Sequence, residues 1–123
     1  HRLILLAGEH GAQWPAASAL FRAYFAEGRD LNNLEHLLDA AASAGLDREL
    51  ARAHLLSDAG RDEVEASQRE AYEIGVSSVP CYIFDNEAAL LGAQPVSVLE
   101  RVIGNFHQPR APRAEPLGTK PGM

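Results

Sequence analysis

The sequence is poor in cysteine, in clustered basic residues and in long apolar runs, and each shortage closes a class of function. Its single cysteine, Cys81, excludes a disulfide within these 123 residues and says little about redox compartment. Eleven Lys and Arg stand against seventeen Asp and Glu, for a formal charge of -6, and they gather into no basic patch. That argues against a phosphate-binding surface, which needs clustered cations to neutralise nucleic acid. The longest apolar run, Leu3 to Ala7, is far too short to span a bilayer, and the first residues lack the charged, apolar and small-residue order of a signal peptide. No Gly-rich phosphate loop follows a strand. His1, His10, His36, His54 and His107 include no pair three or four apart, so a metal site is not expected and the rings read as solvated or hydrogen-bonded surface groups.

What is present is mostly helical periodicity. From Pro15, placed as a first helical residue, Ala17, Leu20, Phe21, Tyr24 and Phe25 follow the spacing of one helix face up to Gly28, with Trp14 packed at the start. Asn32 and Glu35 resemble a capping box ahead of a helix whose face is Leu34, Leu37, Leu38, Ala41 and Ala42, ended by Gly45. Asp47 caps a short helix through Leu50 and His54. Asp62 to Ile74 forms another, wet on its acidic side, with Val64, Ser67, Ala71 and Ile74 opposite and Gly75 closing it. The run around Leu3, Leu6 and Ala7 reads as the tail of one more helix.

After Gly75 the period changes. "CYIF" and "ALLGA" are short apolar runs joined by the turn residues of "DNEA", the pattern of a β-hairpin. Asp85, Asn86 and Glu87 read as turn formers rather than an acid–base pair. Pro95 opens a last helix with Leu99, Val102, Ile103 and Phe106 on its face, and a Pro-rich tail over 107–123 has no periodic face and is expected to be disordered. In "GVSSVPCYIF" a proline stands at the mouth of a strand, where its missing N–H avoids a hydrogen bond it could not make.

Several separated motifs agree in order with one family. The segments "LFRAYFAEGRDLNNLEHLLDAAASAGLD", "GVSSVP" leading into a hairpin, and "GAQP" opening a terminal helix resemble the DsbA-like branch of the thioredoxin superfamily, and within it the FrnE-type proteins. The resemblance runs from residue 1 to about 106. It implies an α+β, mostly helical fold: a helical insertion domain over 1–75, then the C-terminal β-hairpin and helix of a DsbA-like thioredoxin fold over 76–106. It also implies thiol–disulfide exchange without a cofactor, and a cis proline at Val79-Pro80 in a loop where Ser78, Val79 and Pro80 bind substrate.

The departures from the family pattern matter as much. Its oxidoreductases carry a Cys-x-x-Cys pair ahead of the helical region, and that motif is absent here; His1 to Leu3 resemble the family's sequence at the start of the helical region, so the chain reads as a C-terminal portion, inactive by itself. Cys81 directly follows Pro80, and although a lone cysteine heading an apolar strand reads first as an inert buried residue, it is the one possible redox residue. No Lys, Arg or His nearby promises thiolate stabilisation.

Expected partners are a protein or peptide thiol or disulfide substrate, or glutathione; nucleic acid and membrane are not. A homodimer through residues 81–93 is expected, because two strands alone leave an unpaired edge beside apolar Ile83, Phe84, Leu90 and Leu91. The expected location is cytoplasmic. Two alternatives stay open: a glutathione-dependent 2-hydroxychromene-2-carboxylate isomerase-like protein, disfavoured by "LLGAQP", and a non-catalytic peptide-binding module.

Overall fold

The computed structural model describes residues 1–107. In chain order they form α1 (Arg2–Glu9), α2 (Gln13–Phe21), a π-helical turn (Arg22–Ala26), α3 (Leu34–Ser43), α4 (Arg48–Leu56), α5 (Arg61–Glu73), β1 (Cys81–Phe84), β2 (Ala88–Leu91) and α6 (Val96–His107). The fold is α+β and mostly helical. The Pro-rich tail lies outside the described residues beyond His107, which itself ends α6. The chain divides into two compact units, one of His1–Ala71 and one beginning at Tyr72.

In the first unit, α1 to α4 enclose a core that is rich in alanine. Leu3, Leu6 and Ala7 of α1 meet Ala16 and Leu20 of α2, Leu38, Ala40 and Ala41 of α3, and Ala51 of α4. Six of the eleven buried apolar side chains are alanine, and Leu38 is the one large side chain that is completely buried. Small side chains at the contacts let helices approach closely, so the inward positions of α2 and of the π-helical turn after it are occupied by Ala16, Leu20 and Ala23. This corrects the expected face: Phe21, Tyr24 and Phe25 are exposed, Phe25 by 77%, and Trp14 is 80% exposed rather than packed. The residue spacing was compatible with either face, and the narrow space beside α1 and α3 selects the smaller side chains.

The same helix starts earlier and ends differently from its periodicity. Pro15 is the third residue of α2, a position where its missing N–H still costs nothing because the first-turn donors have no intrahelical acceptor. Beyond Phe21 the coil widens into the π-helical turn, with Glu27 N–H donating to Arg22 O at 3.0 Å. Gly28, at φ +63°, then lets Arg29 N–H reach back to Ala23 O at 2.8 Å.

Caps set the next two helices. Asn33, not Asn32, caps α3: its Oδ1 accepts from Glu35 N–H at 2.9 Å. Asn32 is committed one step earlier, its N–H donating to Asp30 Oδ1 at 2.9 Å. On α3, Ala40 is buried and Ala42 exposed, a rotation of the expected face, while Leu34 and Leu37 pack at the margin of the core. Asp47 caps α4 as expected, accepting from Leu50 N–H at 2.7 Å. At the other end of α4, Arg2 spreads its guanidinium over the carbonyls: Nε donates to Ala59 O at 2.8 Å, Nη1 to Leu55 O at 3.3 Å, and Nη2 to His54 O at 2.8 Å and to Ser57 O. A cation there satisfies orphan acceptors and complements the negative end of the helix.

Outside, one ion-pair chain ties α3 to α4. Arg48 bridges Asp39 Oδ1 at 2.7 Å and Glu35 Oε2 at 2.6 Å, Arg29 meets Asp39 Oδ2 at 2.9 Å, and Arg52 meets Glu35 Oε1 at 2.9 Å. Hydrogen bonds from Arg52 and then Arg48 hold the Glu35 carboxyl below its usual value, and those from Arg48 and then Arg29 do the same for Asp39. On α5, Val64 and Ala71 are half-buried and Ser67 is exposed. Ile74 lies past the end of the helix and is exposed as well, so it does not extend that face.

In the unit beginning at Tyr72, β1 and β2 pair antiparallel, with Cys81 opposite Leu91 and Phe84 opposite Ala88. Asp85 and Asn86, at φ +50° and +58°, make the primed turn that matches strand twist, closed by Glu87 N–H to Phe84 O at 2.9 Å. Phe84 stacks on Phe106 of α6, ring centroids 5.7 Å apart and planes 18° from parallel. Leu99, Val102 and Phe106 of α6 are half-buried, but Ile103, expected on the same face, is exposed.

Candidate functional site

The candidate site is the loop that carries the chain from α5 into β1. Tyr72 O accepts from Gly75 N–H at 3.0 Å, and Gly75, at φ +90°, redirects the backbone out of the helix. Val76 is half-buried, while Ser77, Ser78, Val79 and Pro80 are exposed, Val79 by 86%. The Val79–Pro80 peptide bond is cis.

Pro80 stands one residue before β1, and its carbonyl accepts from Gly92 N–H at 2.7 Å, continuing the hairpin bonding beyond the Cys81–Leu91 pair. The proline thus contributes an acceptor to the hairpin where no donor is required of it. Gln94 Nε2 donates to Leu91 O at 2.8 Å and ties down the exit from β2. "GAQP" accordingly does local structural work at the end of the hairpin.

Ser78, Val79, Pro80 and Cys81 are consecutive, so they share one end of the hairpin. Cys81 is a free thiol and half-buried, which corrects its expectation as a buried strand residue: a two-stranded ladder covers it incompletely. β1 has β2 along one edge and no strand along the other among the described residues. Such an edge can accept an added strand through main-chain hydrogen bonds.

Three of the five histidines are held by main-chain carbonyls away from this loop. His10 Nδ1–H donates to Leu6 O at 3.0 Å, His36 Nδ1–H to Asp30 O at 2.9 Å, and His54 Nε2–H to Arg2 O at 3.2 Å; a carbonyl only accepts, which fixes the proton on each ring nitrogen. Among the described residues, no three His, Cys, Asp or Glu side chains are grouped to hold a metal ion, and no helix is long and apolar enough to cross a membrane. An open depression of about 290 Å³ beside the turn is lined by Ile74, Ile83, Asn86, Glu87, Ala88 and Ala89, and includes none of Ser78 to Cys81.

Comparison with known proteins assigns this arrangement. The family model of the DSBA-like thioredoxin domain matches residues 1–104. A search of the curated proteins finds no match. Among solved structures, a probable DsbA oxidoreductase from Streptomyces coelicolor is 37% identical to this chain and superposes with a TM-score of 0.83 over 94% of it. The chain spans 50% of that protein's length. The helical region, the hairpin and the closing helix are those of a DsbA-like thioredoxin fold, and the chain belongs to the DSBA-like thioredoxin domain family.

Proposed function

We propose that this chain is the helical and substrate-binding portion of a thiol–disulfide oxidoreductase of the FrnE branch, with the reacting thiol pair lying outside these 123 residues. The observation that carries the reading is the exposed Ser78-Val79-Pro80 loop running into a strand with one open edge, in a chain of the DSBA-like family. In such an exchange a thiolate attacks one sulfur of a substrate disulfide, forming a mixed disulfide and releasing the other sulfur as thiolate. A second cysteine then attacks the mixed disulfide, leaving the enzyme oxidised and the substrate reduced. One cysteine can take the first step and not the second, so Cys81 does not sustain the cycle. The role of Ser78 and Val79 is to pair their main chain with an extended peptide and hold its sulfur beside the reacting pair.

Two measurements test this. The isolated chain, supplied with dithiothreitol, should not accelerate reduction of a protein disulfide, and turnover that disappears in Cys81→Ser overturns the assignment of the thiol pair. An extended cysteine-containing peptide titrated into isotope-labelled chain should shift the amide signals of Ser78, Val79 and β1; shifts confined to α1 to α4 overturn the assignment of the loop. A homodimer through residues 81–93 belongs to the same proposal, supported by the open edge of β1 and by exposed Tyr82, Ile83 and Leu91. Light scattering at micromolar concentration reads it, and a monomer removes that part without touching the redox reading.

A further inference from the structure

We draw no further inference here: the strongest candidate, the exposed aromatic patch of Phe21, Tyr24 and Phe25 at the end of α2 and on the π-helical turn, carries none because nothing in the structure shows what covers it.

Discussion

The helical unit that ends at Ala71 and the unit that begins at Tyr72 are held together by different means. Among the described residues, all eleven buried apolar side chains belong to the first, where four helices close around Leu38 and a set of alanines. The second has none: its hairpin rests on main-chain bonds and on one stacked pair, Phe84 on Phe106. Local opening costs least where few apolar contacts are buried, and binding segments are drawn from such regions. The candidate loop stands on the second unit, beside a hairpin whose Ile83 is 48% exposed. A closed core supports the helical unit, whereas the second unit leaves a sheet edge and the candidate loop exposed.

The largest test of that contrast is Leu38→Ala. It should lower the stability of the helical unit by roughly 2 to 5 kcal/mol in urea unfolding followed by circular dichroism, since a wholly buried leucine leaves both transfer energy and a cavity behind. Hydrogen exchange on the same variant sharpens it: protection should fall through α1 to α4 and stay unchanged in β1 and β2, and equal loss in both regions would break the comparison. Next in size is Asp47→Ala, which removes the side-chain acceptor of Leu50 N–H and should cost about 1 kcal/mol in the same unfolding experiment. Phe106→Ala acts on the other unit. Loss of the ring pair, worth about 0.5 to 1.5 kcal/mol beyond area burial, should accelerate amide exchange in β1 and leave α3 as it was.

The smallest effect concerns the ion-pair chain. Glu35 and Asp39 have folded-state pKa values below their unfolded ones, so their pairs with arginine stabilise the fold at neutral pH, and that contribution is lost as pH falls below about 4. Arg48→Ala should therefore lower the urea midpoint slightly near neutral pH, less in high salt, and progressively less as acid protonates Glu35 and Asp39. A difference that persists in acid would show that Arg48 acts through packing of its stem instead.

Local chemistry made much of this molecule legible before its structure. Asp47 ahead of a periodic run, Gly28 and Gly75 after one, and Asp85-Asn86 between two apolar runs each specify a backbone geometry through their own side chain or the lack of one, and all four occur where their chemistry places them. The proline before β1 was readable for the same reason, since a residue without an N–H at a strand entrance is a local signal, whereas the substrate role expected of Ser78 to Pro80 came from the family resemblance. Less readable was which face of a helix turns inward. Phe21, Tyr24 and Phe25 satisfy helical spacing as well as Ala16, Leu20 and Ala23 do, and the closeness of α1 and α3 chose the small residues. Long-range polar pairings left no trace in the sequence either. Arg2 meets the end of α4 more than fifty residues away, and Arg48 joins Glu35 to Asp39 across a turn, because ordinary surface arginines carry no mark of their partners. Residue order alone specified which elements form and in what sequence, and fixed single ends such as the Asp47 cap, since caps, turns and proline act within a few residues; the start and π-helical end of α2 and the Asn33 cap of α3 were not fixed that way. Which faces are buried and which charges meet was set by packing instead, because both depend on the distance between elements far apart in the chain.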